Sequence, residues 1–304
     1  MERRVDGRDE GSQVDGTVRT HHRGDEGRRR HPDLARSRAV AMSREHDTLV
    51  WPHDVRTLAV DVGGSGVKAS VLDPHGSLLV DRIRTDTPYP CPPERLVATI
   101  VDLVAGLPTA HRASIGFPGL VRDGRVIEVP SLSRTAYDSP ADPHLASLWF
   151  GFDLGHTLAH VLDVPTLVVN DADMQGCAVV EGVGMEFVLT LGTGVGTALF
   201  NDGHLLPHLE LSHGPFQGDQ TFDTALGNVE RKKIGKKKWI KRVREAIECF
   251  DEMIVFDHLY VGGGNAKHLD PADVGPKGRL IPNSAGVIGG VRLWDITAAS
   301  VHHG

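Results

Sequence analysis

Cysteine is scarce in this chain: Cys91, Cys177 and Cys249 are odd in number, far apart and in no C-x-x-C arrangement. That pattern excludes a disulfide framework and fits a reducing compartment, with packing as the simplest role for each thiol. No apolar run approaches membrane-spanning length, and the N-terminus lacks the apolar core of a signal peptide. The expectation is a soluble, cytoplasmic protein with no membrane partner. An excess of positive charge is missing too. The 33 Lys and Arg are outnumbered by 40 Asp and Glu, a net charge of −7. This argues against nucleic acid as a partner of the whole chain while leaving room for a local basic patch. Neither the P-loop pattern G-x-x-x-x-G-K-[ST] nor a G-x-G-x-x-G opening a helix occurs, which disfavours those two nucleotide-binding folds.

What is present suffices for two ordinary domains: 304 residues, 40% of them hydrophobic. Residues 1–48 stand apart, mixing Arg with Asp and Glu and showing no sustained apolar period. They are expected to be disordered, because they cannot bury enough surface to offset ordering entropy. From Arg56 onward strands, turns and helices alternate, and the order occurs twice. "TLAVDVGG", "VKASVLD" and "LLVDRIRTD" read as strands, "PPERLVATIVDLVAGL" as a helix, "RASIGFPGLV" and "PTLVVNDAD" as buried strands. "FVLTLG" and "GTALFND" restart the series, followed by a lysine-rich helix at 229–252, "HLYVGGGN" and an apolar stretch from 285. Two α/β lobes on one plan are expected, over 56–170 and 171–284, with 285–300 packing back on the first.

The repeat is most exact at two glycine turns. Gly64-Ser65-Gly66-Val67 aligns with Gly192-Thr193-Gly194-Val195, each set between strand-like flanks. A Gly/Ser/Thr turn lets backbone N–H groups converge without side chains in the way, which suits a phosphate. One such turn alone is ordinary hairpin chemistry. Two at equivalent places could hold a phosphate chain from both sides.

Here the residues carry a resemblance. "DVGGSGVK" and "LGTGVG" resemble the two phosphate loops of the actin-like sugar-kinase superfamily, whose fold is the two-lobed, ribonuclease H-like α/β fold. "VVNDAD", "LELSH" and "YVGGGN" resemble the ROK family within it, and "LVVNDADMQG", "PHLELSHGPF" and "GKKKW" resemble its polyphosphate glucokinase branch. The resemblance implies transfer of a phosphoryl group from inorganic polyphosphate, with ATP as another donor, to the 6-hydroxyl of glucose or a related hexose. It also implies Mg²⁺ and a homodimer.

Phosphorylating a sugar hydroxyl needs a proton acceptor at the attacking oxygen and charge neutralisation at the phosphoryl group. Asp171 ends a buried strand, where open α/β sheets bind ligands; it reads either as a helix cap or, with the family pattern, as the general base. Asp173 is expected to be the capping carboxylate. The resemblance makes Asn170, Glu210, His213 and Gly119 sugar ligands. His204, His208, Glu210 and His213 are also close enough in sequence to suggest a metal. The zinc site of many ROK proteins, however, uses cysteines just after this histidine, and none lies between Cys177 and Cys249, so no structural zinc is expected. Asp61 is assigned to a hydrated Mg²⁺. Gly63, Gly64, Ser65, Gly66 and Lys68, with Gly192, Thr193 and Gly194, are assigned to phosphate, with a solvent-facing strand lysine as the alternative reading of Lys68. Gly262, Gly263 and Gly264 resemble an adenosine-side motif, with a plain strand-to-helix turn as the alternative reading.

Lys232, Lys233, Lys236, Lys237 and Lys238 concentrate charge in an acidic chain. A solvated helix face is the ordinary explanation; an extended polyanion would relieve their mutual repulsion. Between Gly119 and Trp149 the chain departs from the branch. Ser131 or Ser133 stands in for an asparagine sugar contact, and Gln220 stands where a glutamate is usual. The rival readings are a strictly ATP-dependent ROK kinase for another hexose and a non-catalytic sugar-binding relative.

Overall fold

Two five-stranded sheets with the same strand order carry the architecture. The computed structural model describes residues 51–282 and 285–301; the segment 1–48, expected to be disordered, lies outside the described residues. Along the first half come β1 (Thr57–Gly63), β2 (Gly66–Leu72), β3 (Ile83–Thr85), helix α1 (Pro93–Val104) and β4 (Arg112–Phe117). A small hairpin of β5 (Leu120–Arg122) and β6 (Arg125–Glu128) follows, then α2 (Pro143–Trp149), α3 (Leu154–Leu162), β7 (Thr166–Asn170) and α4 (Asp171–Cys177). The second half contains β8 (Met185–Leu191), β9 (Val195–Asn201), β10 (His204–Leu205), the pair β11 (Pro215–Gln217) and β12 (Gln220–Thr221), and α5 (Phe222–Leu226). It closes with α6 (Asn228–Ile234), α7 (Lys236–Ile254), β13 (His258–Gly262), β14 (Gly278–Leu280) and α8 (Ala285–Val301).

The first sheet runs β3-β2-β1-β4-β7 and the second β10-β9-β8-β13-β14. In both, three antiparallel strands are followed by two parallel ones. The register places Gly63 opposite Gly66 and Leu191 opposite Val195, so the two glycine turns close equivalent hairpins. β4 is buried at all six positions, as a central parallel strand covered on both faces must be.

Each sheet has its own apolar cluster. Val60, Val62, Ile100, Ile115, Phe117 and Trp149 belong to the first; Phe187, Phe222, Trp239, Val243, Phe250 and Val261 to the second. On α7 the buried residues Trp239, Val243, Ala246, Ile247 and Phe250 recur at helical spacing, which fixes the face turned to the sheet.

Helix α4 lies where both sheets meet. A Cβ on Gly116 of the first sheet would come 2.7 Å from Met174, and one on Gly176 would come 2.5 Å from Phe200 of the second. Helix α8 runs beside α4 and against β1 and β4; a Cβ on Gly289 would overlap the Met174 carbonyl. Leu293 and Ile296 of α8 also pack with Val188, Phe200 and Tyr260 of the second sheet. The lysine-rich segment, read from sequence as one helix, is two: Gly235 breaks it at φ +82°. The strand expected over 78–86 contracts to β3.

Candidate active site

At the end of β7 the chain turns straight into α4, and Asn170 caps that helix. Its Oδ1 accepts from the Ala172 amide at 2.8 Å, and its Nδ2 donates to the Gly119 carbonyl at 3.1 Å. Gly119 is held in place by contact: a Cβ there would lie 2.3 Å from the Glu128 carbonyl. The cap is therefore neither Asp171 nor Asp173. Asp171 opens the helix, and its Oδ1 receives the Ala172 amide at 2.9 Å. Burial, and then the like charge of Asp61, push its carboxyl up to about 7. A carboxylate tuned to the operating pH is suited to take up and release a proton.

Asp173, instead of capping, is buried against His208, with Oδ1 2.9 Å from Nδ1. His208 Nε2 stands 3.5 Å from Glu210 Oε1, and His213 Nε2 lies 3.8 Å from Glu210 Oε2. Burial alone would lower the His208 pKa, but the bond to Asp173 and the Glu210 carboxylate outweigh it and raise the value to about 9. For Glu210, burial works upward and is outweighed by His208, His213 and Arg122, so its carboxyl is held below the usual range. Both His208 nitrogens thus face carboxylates, an ion-pair arrangement rather than a metal-ligand one. Among the described residues no group of three or more His, Cys, Asp and Glu is placed to hold a metal ion. Arg122, from β5, donates to the His208 carbonyl and ties this loop to the first lobe.

Among the described residues, the amides of Gly64 and Ser65, and likewise of Thr193 and Gly194, donate to no backbone carbonyl. In the second turn the carbonyls are taken: Asn265 Nδ2 donates to Gly192 at 2.8 Å, the Asn228 amide to Thr193 at 3.1 Å, and Gly192 to Gly194 at 2.9 Å. Asp223 Oδ1 receives the Val195 amide at 2.7 Å and occupies the space a Gly194 side chain would need. Gly263, at φ +85°, packs on the same turn; a Cβ would lie 2.4 Å from the Leu191 carbonyl. Gly262 is closely packed too, against Gln175 and Ile281, while Gly264 faces open space. Asp61 and Lys68 are cross-strand partners, paired at 2.9 Å through Asp61 Oδ2.

The ROK family profile matches residues 57–210, just over half of the chain. The chain belongs to the ROK family. It is 29% identical over 220 residues to the polyphosphate glucokinase of Mycobacterium tuberculosis, covering 69% of this chain and 78% of that protein. To the polyphosphate glucokinase of Mycobacterium leprae it is 28% identical over 275 residues, covering 84% and 80%. Among solved structures, the inorganic polyphosphate/ATP-glucomannokinase from Arthrobacter sp. strain KM superposes with a TM-score of 0.66 at 26% identity, over 81% of this chain and all of that one. The fold is accordingly the two-lobed, actin-like one of the ROK sugar kinases.

In this ROK chain the basic cluster is exposed around the Gly235 break. Lys233 pairs with Glu230 at 3.2 Å, whereas Lys232, Lys236, Lys237 and Lys238 have no ion-pair partner among the described residues. The last three fill the first turn of α7, which has no side-chain cap and no acidic residue there. Of the two candidate serines, Ser131 reaches the first hairpin, 3.6 Å from where a Gly64 Cβ would lie; Ser133 is buried. Gln220 accepts from Arg242 at 3.3 Å. From sequence His208 enters only as part of a metal group, not as the partner of Asp173, and Arg122, Asp223 and Asn265 have no role there. His208 had a signal, standing two residues before Glu210; the others act on partners remote in the chain.

Proposed function

We propose that this chain is a hexose kinase that transfers a phosphoryl group from inorganic polyphosphate, and also from ATP, to the 6-hydroxyl of glucose or a related hexose. The observation that carries the reading is Asp171, at the head of α4 where both sheets meet, with a carboxyl raised to about 7. Glu210, His213, Asn170 and Gly119 are read as the acceptor side. Their mixed donors and acceptors match a polyol. The hairpin amides of Gly64, Ser65, Thr193 and Gly194 are read as the donor side.

In the reaction, Asp171 takes the proton of the attacking hydroxyl as its oxygen bonds to phosphorus. The bridging P–O bond breaks, and the shortened chain leaves as an oxyanion. Asp61 suits a Mg²⁺ bound through water: it is a partly exposed carboxylate whose Oδ1 has no protein partner among the described residues. Such an ion would neutralise donor phosphate charge. Lys68, paired with Asp61, adds positive charge at the same edge.

Polyphosphate as donor is supported by α7. Cations in the first turn of a helix oppose its dipole, each costing about 0.3–1 kcal/mol, and here three stand on an uncapped end. A polyanion lying across Lys232, Lys233, Lys236, Lys237 and Lys238 turns that cost into attraction. The test is a coupled phosphorylation assay across several hexoses, with polyphosphate and ATP supplied separately. Turnover with ATP alone would reduce the reading to an ATP-dependent hexose kinase with a solvated basic face, and no turnover with either donor would overturn it.

A further inference from the structure

The first hairpin turn is gripped from behind by one short segment. Thr87 Oγ1 donates to the Gly63 carbonyl at 2.6 Å, Tyr89 Oη to Gly64 at 2.6 Å, and Arg84 Nη2 to Ser65 at 2.9 Å. Three successive carbonyls of the turn are thus bonded by side chains from residues 84–89. A peptide unit whose carbonyl is fixed on one side has its neighbouring amides fixed as well, because each peptide is planar. Gly66 leaves room for this contact: a Cβ there would lie 2.7 Å from Arg84 Nε, and the guanidinium would have to shift.

Tyr89 makes a second contact. Its hydroxyl lies 3.0 Å from the Ser131 carbonyl, on the loop read as the acceptor side, and its ring packs edge-on to Tyr137 at 6.3 Å. One hydroxyl proton is therefore shared between the phosphate hairpin and the acceptor loop.

We propose that Thr87 and Tyr89 are positioning residues that fix the first hairpin with its Gly64 and Ser65 amides presented to a donor phosphate. The proposal deepens the phosphotransfer reading and rests on it. Neither residue touches the reacting atoms. The second hairpin is held by the analogous device, with Asn265 and the Asn228 amide in place of Thr87 and Tyr89.

The test uses the full chain with Tyr89→Phe, Thr87→Val and Thr87→Ser, and inorganic tripolyphosphate as the probe. Tyr89→Phe and Thr87→Val each remove a hydrogen bond to the turn, so tripolyphosphate affinity by calorimetry should fall roughly five- to tenfold. Thr87→Ser keeps the hydroxyl and should bind like wild type. In turnover, the donor KM should rise by the same factor while the hexose KM stays within about twofold. Unchanged affinity in both Tyr89→Phe and Thr87→Val would overturn the proposal, as would a fall in melting temperature that moves both KM values equally. Failure of the wild-type chain to bind tripolyphosphate would also overturn it. Binding that the variants weaken, in a chain that phosphorylates no hexose, would uphold the clamp and remove the kinase reading.

Discussion

His208 Nδ1 and Asp173 Oδ1 lie 2.9 Å apart with both side chains buried, joining the first turn of α4 to the loop that bears Glu210. With a folded pKa of about 9 against the ordinary 6.5, His208 is charged at neutral pH. A raised pKa means that the imidazolium favours the folded state. Its contribution is complete below about pH 6.5 and is lost as pH climbs through about 9. His208→Gln, which keeps polarity but not charge, should lower the melting temperature at pH 6 by several degrees, roughly what a loss of about 1 kcal/mol does. That deficit should narrow as the pH passes 9. Melting curves of the two proteins from pH 6 to 10 decide it, and a constant deficit would show that the charge contributes nothing.

Asp171 carries the opposite burden. Its carboxyl is held near 7 by burial and by Asp61, so ionisation opposes folding; the penalty is absent below the ordinary value of 3.8, builds as pH rises toward about 7, and is complete above it. Asp171→Asn should lower turnover by about 10²–10⁴, the usual worth of a general base, with hexose affinity within a few-fold. The same variant should melt at or above the wild-type temperature at pH 8, and alike at pH 4. Wild-type kcat/KM should fall about tenfold per pH unit below an apparent pKa near 7. Turnover within a few-fold of wild type would show that Asp171 is no base.

What was legible in the sequence follows from which interactions are local. The doubled sheet was readable because each copy begins with a glycine hairpin that fixes register within a dozen residues. The place of Asp171 at the end of a buried strand was readable because an apolar run ends just before it. The break at Gly235 was not, since an isolated glycine inside a helical pattern is usually tolerated at a cost of about 1 kcal/mol. Nor was Asn170 as the cap: it competes with Asp171 and Asp173 in one run, and only the extended backbone at Asn170, just before the helix, puts it at the capping position. Thr87 and Tyr89 carry no pattern at all, because their partners are carbonyls 24 and 25 residues away.

Gly263 tests the coupling of the "YVGGGN" turn to the second hairpin. Its φ of +85° is strained for any other residue, and a Cβ would press on the backbone of Leu191, which cannot swing aside. Gly263→Ala should cost about 1–3 kcal/mol of stability. Because Leu191 leads into Gly192, the donor KM should rise as well, for polyphosphate and ATP alike. Gly264→Ala, with open space around it, serves as the control. Equal behaviour of the two variants in unfolding and donor KM would refute the buttress.

The last prediction separates the donors. Lys236, Lys237 and Lys238 stand exposed on the uncapped first turn of α7, whereas the hairpins that would hold a short donor lie on the strands. Replacing all three lysines with alanine should raise the polyphosphate KM about tenfold or more while leaving the ATP KM within about twofold, since ATP ends where the hairpins end. The wild-type polyphosphate reaction should also weaken steeply between about 0.05 and 0.5 M salt, as the screening length shrinks below the spacing of the charges. The triple variant should lose most of that salt dependence. Relief of repulsion at the helix end should raise its melting temperature slightly, which by itself decides nothing about the donor. Equal changes in both KM values, or a polyphosphate reaction indifferent to salt, would assign the lysines to a solvated face and leave the hairpins as the whole of the donor site.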